Sequence, residues 1–193
     1  MTSNTRLRRE HAAEIRAVLD RFPSNRSASA AVELLYFAQA AYGHLTAEAV
    51  EEVAEIVGMD ATRVRGLVGF YSLLREDAHG GFVVQYCTDL PCALRGAESL
   101  WPKLCEKLGV APDGGTSDDG LFTVEKSMCL AACDRAPMMQ VNLEYFYDLD
   151  EAALDAIVAD LRRRASLGRP RRPPFGFGPP SQMDIAASEI DRA

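Results

Sequence analysis

The chain has 193 residues, 48% hydrophobic and 25% charged, an ordinary globular composition that excludes a mainly disordered polypeptide. Its 28 acidic and 21 basic side chains give −7. Six of the arginines lie between Arg162 and Arg172, so the remainder holds 15 basic against 28 acidic residues, or −13. An acidic body excludes phosphate-backbone binding, hence nucleic acid, and no run nears the roughly 18 apolar residues of a membrane span.

The N-terminal ten residues carry three arginines with no apolar stretch after them, so no secretory signal is expected and the location is read as cytoplasmic. From Glu10 to about Arg75 the pattern is helical. Ile15, Val18, Leu19 and Phe22 recur at amphipathic spacing and Pro23 closes that segment. Ser27 is placed to cap a second helix containing Val32, Leu34, Leu35, Phe37 and Ala38, with Gly43 as its stop. Thr46 opens a third with Val50, Val53, Ala54 and Val57, ended by Gly58, and Asp60 opens a fourth with Val64, Leu67 and Val68. Phe70, Tyr71, Leu73 and Leu74 form an apolar patch suited to docking this bundle onto the next domain. Residues 1–78 are therefore expected to be an N-terminal helical bundle.

After Gly80-Gly81 the period changes. Phe82 to Tyr86 reads as a buried strand running into Cys87, and Leu94 to Leu108 as a helix that Pro102 must kink or restart. Val110 to Gly120 is a polar loop, Leu121 to Val124 a strand, and Met138–Val141 with Tyr145–Tyr147 a hairpin around Asn142-Leu143-Glu144. Asp150 caps a last helix built on Leu154, Ile157, Val158 and Leu161. Strand, helix, strand, hairpin, helix makes 79–166 an α/β domain. Residues 167–193 read as a tail, since eight of the thirteen residues from Gly168 to Pro180 are Gly or Pro. Phe175 and Phe177 are its aromatics. The basic run at 162–172 is read as the charged end of the last helix, complementing its dipole.

Five cysteines are present, and four form two close pairs. Four residues separate Cys87 from Cys92, three separate Cys129 from Cys133, and 36 lie between the pairs. In a chain without an export signal, paired cysteines more often bind metal or do redox work than form structural disulfides. A zinc site of four thiolates remains open on spacing alone. Two separated pairs also meet the need of a 2Fe-2S cluster, which divides four thiolates between two irons. Pro91 and Pro137 stiffen the two loops, and Arg95 or the first N–H groups of the following helix are candidate donors to sulfur. A thioredoxin-type redox enzyme would want two residues between its cysteines, a spacing absent here. The three histidines, His11, His44 and His79, are scattered and read as surface or capping groups, the carboxylates as solvated helix faces, and Tyr145, Phe146 and Tyr147 as packing.

The stretches Cys87-Thr-Asp-Leu-Pro-Cys92-Ala-Leu-Arg95-Gly96 and Cys129-Leu-Ala-Ala-Cys133-Asp-Arg-Ala-Pro137-Met138-Met139 resemble the small 2Fe-2S subunit of the NADH dehydrogenase module of respiratory complex I. Tyr42-Gly43-His44-Leu45, Val68-Gly69-Phe70-Tyr71 and Tyr145-Phe146-Tyr147-Asp148-Leu149 share the likeness, which covers about residues 10–162. The resemblance implies an N-terminal helical bundle followed by a thioredoxin-like 2Fe-2S ferredoxin domain. It implies one 2Fe-2S cluster on Cys87, Cys92, Cys129 and Cys133, exchanging single electrons with FMN on a larger partner subunit that also binds NADH. It further implies other peripheral-arm subunits as partners, and a position on the inner face of the cell membrane through the complex. A diaphorase subunit of an NAD-linked formate dehydrogenase or bidirectional hydrogenase would carry nearly the same motifs. No G-x-G-x-x-G or Walker loop is present, so nucleotide binding is left to the partner. Cys105 matches no ligand and reads as a small core residue. The chain departs from the family at Ala131, where glycine is usual, at Met128, often acidic, and at Pro102. If the 131 site has a positive φ, alanine there costs on the order of 1 kcal/mol.

Overall fold

The computed structural model describes residues 5–168. The tail from 169 onward, with Phe175, Phe177 and the last three arginines of the basic run, lies outside the described residues. The chain divides into two compact units, the first closing at Ala78 and the second opening at His79.

The first unit is helical: α1 (Arg6–Glu10), α2 (Ala12–Leu19), a 3-10 segment (Ser24–Ala30), α3 (Ala31–Tyr42), α4 (Ala47–Val57) and α5 (Ala61–Phe70). Local chemistry sets most of these ends. Thr46 accepts from the Ala49 N–H and Asp60 from the Thr62 N–H, while Gly43 and Gly58 terminate α3 and α4 at φ 87° and 69°. Ser27 does not cap α3. It lies inside the 3-10 segment and donates to the Val57 carbonyl at 2.9 Å, so a contact across the bundle outweighs the local cap. Phe22 lies beyond α2 yet packs on the core formed by Leu34, Leu35, Val50, Val53 and Val64. The apolar patch at 70–74 divides: Leu74 enters the bundle's own core, whereas Phe70 is 80% exposed, edge-on to Tyr71.

One carboxylate departs from the solvated-face reading. Glu52 on α4 is 2% exposed and accepts from the N–H groups of Leu7 at 3.1 Å and Arg8 at 2.9 Å, from the Tyr42 hydroxyl at 2.9 Å, and from the Thr5 hydroxyl. The unpaired first N–H groups of α1 are thereby satisfied by an acid 44 or 45 residues away.

The second unit holds a five-stranded sheet in the order β2-β3-β1-β4-β5, from β1 (Phe82–Cys87), β2 (Gly115–Thr116), β3 (Phe122–Ser127), β4 (Met139–Val141) and β5 (Glu144–Phe146). Helices α6 (Leu90–Leu94), α7 (Ala97–Leu108) and α8 (Glu151–Ser166) complete it. β1 runs parallel to β3, and β4 is antiparallel to β1. The α/β architecture is as expected, with particular corrections. The polar loop contains β2, which pairs with Val124 and Thr123 of β3. The helix restarts at Gly96, whose φ of 93° separates α6 from α7, and α7 runs through Pro102. A proline inside a helix costs roughly 3 kcal/mol. Burial of Leu100, Leu104 and Leu108, each worth about 1.5–3 kcal/mol, offsets it. Glu144 belongs to β5, leaving a two-residue turn of Asn142 (φ 46°) and Leu143 (φ 73°). The Asn142 side chain accepts from the Val83 N–H at 2.8 Å and donates to the Gly81 carbonyl at 2.9 Å, tying the hairpin to β1. Gly80 is required where it stands, since a Cβ there would meet the Phe122 carbonyl carbon at 2.7 Å. Asp150 caps α8 through the Ala153 N–H. At its other end Arg164 pairs with Glu144 at 2.6 Å and Arg162 stacks over Phe122, so these arginines serve the domain itself.

Candidate metal centre

The strand register places the cysteine loops together. In the parallel β1–β3 pair, Cys87 stands level with Ser127, so both strands finish at the same end of the sheet. β4 enters from that same end, with Met139 opposite Tyr86. Thr88 N–H donates to the Ser127 carbonyl at 2.9 Å and Cys87 N–H to the Met138 carbonyl at 3.2 Å, lacing the three segments at this end. Cys87 closes β1, Cys92 is the third residue of α6 after Pro91, Cys129 lies beyond the end of β3, and Cys133 opens the 3-10 turn Cys133–Arg135.

The two pairs differ in environment. Cys87 and Cys92 are buried, and Cys129 and Cys133 are exposed. The Cys129 and Cys133 sulfurs lie 3.9 Å apart. Two thiolates on one tetrahedral metal with bonds of ~2.3 Å stand about 3.8 Å apart, so this pair has the span of two ligands on one metal ion. Burial first, and then the neighbouring Cys87 thiol, pushes the Cys92 thiol up to about 11, partly countered by the Met138 backbone. The Cys133 thiol is also raised, first by its hydrogen bond with Cys129. Metal binding to these sulfurs must therefore expel protons. Among the described residues no three His, Cys or carboxylate groups converge on a single ion. Two sulfur pairs are the arrangement a two-iron cluster asks for.

The sulfur donor is a backbone group that sequence reasoning did not name. Ala131 N–H donates to Cys129 Sγ at 3.4 Å. Ala131 sits at φ 62°, the left-handed conformation that glycine takes without strain. The Ala131 departure was the one available signal. Arg95 is exposed and donates to none of the cysteines. Arg135 is held by Asp148 at 3.0 Å and stacks 4.4 Å from the Tyr147 ring centroid. Cys105 is buried in the core, as its place on the α7 stripe implied. The rim is apolar: Leu90, Leu94 and Met128, close in sequence to the candidate ligand cysteines, are exposed.

The family model for thioredoxin-like 2Fe-2S ferredoxins matches residues 15–162, spanning both units. The chain belongs to this family. As a thioredoxin-like 2Fe-2S ferredoxin it is 40% identical over 149 residues to a subunit of the NADH-quinone oxidoreductase of Rhizobium meliloti, covering 77% of this chain and 87% of that one. It is 39% identical over 143 residues to NADH-quinone oxidoreductase subunit 2 of Thermus thermophilus, covering 74% and 78%. A similar fold occurs in an NAD+-reducing NiFe-hydrogenase, at TM-score 0.59 and 20% identity over 68% of this chain. This chain spans only 22% of that hydrogenase chain. The likeness to the hydrogenase is one of fold.

Proposed function

We propose that this chain is the electron-transfer subunit of an NADH:quinone oxidoreductase, with one 2Fe-2S cluster on Cys87, Cys92, Cys129 and Cys133. The observation that carries the reading is that both cysteine pairs follow the level ends of β1 and β3, at one end of the sheet. When bound, the cluster takes up and releases one electron at a time. The chain's own groups hold it in place, aim the Ala131 N–H at sulfur, and shield the Cys87–Cys92 side from water. All-thiolate ligation lacks the histidines of Rieske centres, so the potential is low.

The electron comes from NADH through FMN on a partner subunit, and the cysteine-bearing end of the sheet, with exposed Leu90, Leu94 and Met128 close in sequence, faces that partner. Other peripheral-arm subunits complete the complex, which holds the chain on the inner face of the membrane. Among the described residues no helix is long and apolar enough to cross a membrane.

Anaerobic preparation with iron, acid-labile sulfide and zinc analysis, followed by EPR after dithionite reduction, tests the reading. About two irons and two sulfides per chain with a rhombic S = 1/2 signal are expected. Stoichiometric zinc without labile sulfide, persisting after reconstitution, overturns it in favour of a zinc-stabilised adaptor.

A further inference from the structure

We infer that Cys129 and Cys133 also act as a reversible redox pair: before a cluster is bound, a small disulfide such as glutathione disulfide links them and closes the chain to iron. The consequence for iron rests on the ligand assignment proposed above; the linkage rests on geometry.

Five observations favour this pair over the other three cysteines. Their sulfurs stand 3.9 Å apart and share a hydrogen bond, so closure to the ~2.05 Å of a disulfide needs a movement of only about 2 Å. Residues 128–132 lie outside every helix and strand, and the loop can absorb that movement without breaking a ladder. Both thiols are exposed, and thiol–disulfide exchange requires the attacking sulfur to reach a disulfide sulfur directly. Cys87 and Cys92, at 2% and 1% exposure, are shielded from an oxidant in solution. Cys105 is buried in the α7 core with no cysteine partner.

The exchange balances. One of the two thiols, deprotonated, attacks a sulfur of glutathione disulfide, forming a mixed disulfide and releasing one glutathione, which takes up the proton. The second cysteine displaces the other glutathione in the same way. Two cysteine thiols are oxidised to one disulfide and one glutathione disulfide is reduced to two thiols. Half of the four thiolates are then withdrawn, while the buried pair stays reduced. A dithiol reverses the reaction.

The test uses the full chain, stripped of metal and sulfide by a chelator under reducing conditions, freed of thiol, and exposed to glutathione disulfide before alkylation in denaturant and tryptic mapping. Cys129 and Cys133 fall together on the tryptic peptide Ser127–Arg135, and Cys87 and Cys92 on Glu76–Arg95. The first peptide is expected to be two hydrogens lighter and unalkylated, the second fully alkylated. Uptake of ferrous iron and sulfide should fall at least tenfold and return after dithiothreitol. In Cys133→Ser the second displacement is lost, and Cys129 should keep one glutathione. Preferential linkage of Cys87 to Cys92, or glutathione left on both exposed cysteines of the unsubstituted chain, overturns the redox pair. Unimpaired loading of the linked chain overturns the closure. A parallel sample never exposed to oxidant keeps the two readings apart: if it binds no iron and sulfide while the linked peptide still forms, the ligand assignment fails and the redox pair stands.

Discussion

Ala131 donates its N–H to the sulfur of Cys129 at 3.4 Å from a backbone held at φ 62°. A residue with a Cβ is strained there by about 1–2 kcal/mol, so the donor and the strain have one origin. Ala131→Gly keeps the N–H and removes the strain. Its cluster should show an unchanged midpoint potential and EPR signal, with thermal stability raised by about 1 kcal/mol. Ala131→Pro removes the N–H and forbids the positive φ, and cluster retention during chelator challenge should collapse.

Met128 bears on the potential rather than on the fold. Its side chain is 80% exposed, beside Cys129, and its carbonyl accepts from the Cys87 thiol at 3.6 Å through the backbone alone. Met128→Glu therefore adds a negative charge near the cluster without disturbing a packed side chain. A fall in midpoint potential on the order of 30 mV is expected, the effect of one charge in a water-like medium. Redox titration followed by EPR measures it, and an unchanged midpoint counts against any electrostatic role for this position.

Glu52 makes the N-terminal segment dependent on a buried charge. Glu52→Gln weakens the acceptor for the Leu7 and Arg8 N–H groups and should cost roughly 1–3 kcal/mol. Proteolysis of the folded chain should then begin between Thr5 and His11, and calorimetry should register the loss.

The Tyr42 hydroxyl is pushed up to about 12, first by burial and then by its hydrogen bond to Glu52. The unfolded chain ionises Tyr42 near its ordinary value of 10.0. The neutral phenol's contribution is thus fully present below pH 10, declines as pH rises toward 12, and is lost above that. Tyr42→Phe should flatten the stability curve across that window. Denaturant unfolding at several pH values between 9 and about 12 reads the difference, and identical slopes for both chains would refute the linkage.

Asn142 extends the hairpin's pairing with β1 through its side chain. Asn142→Ala leaves the Val83 N–H without its 2.8 Å acceptor and places alanine at φ 46°, so a loss of about 2–3 kcal/mol is expected. Thermal unfolding monitored by circular dichroism should show it directly, with the hairpin amides becoming the least protected against hydrogen exchange.

What the sequence by itself determined is what short-range chemistry decides. Thr46, Asp60 and Asp150 cap their helices, and Gly43 and Gly58 end them, because a cap is made by atoms within four residues. The change from helical to strand periodicity at Gly80-Gly81, the hairpin at 139–146 and the two cysteine pairs are legible for the same reason. Ser27 escapes a local reading because its hydroxyl prefers the Val57 carbonyl, a partner 30 residues away that no local pattern marks. Glu52 resembles any acid on a helix face until α1 folds over it. The tertiary structure alone decided that Cys87 and Ser127 stand level and that Cys92 is buried while Cys129 and Cys133 are not. Each of these depends on strand register and on packing between distant segments, and a register shift of one residue would reverse which side chains face the core.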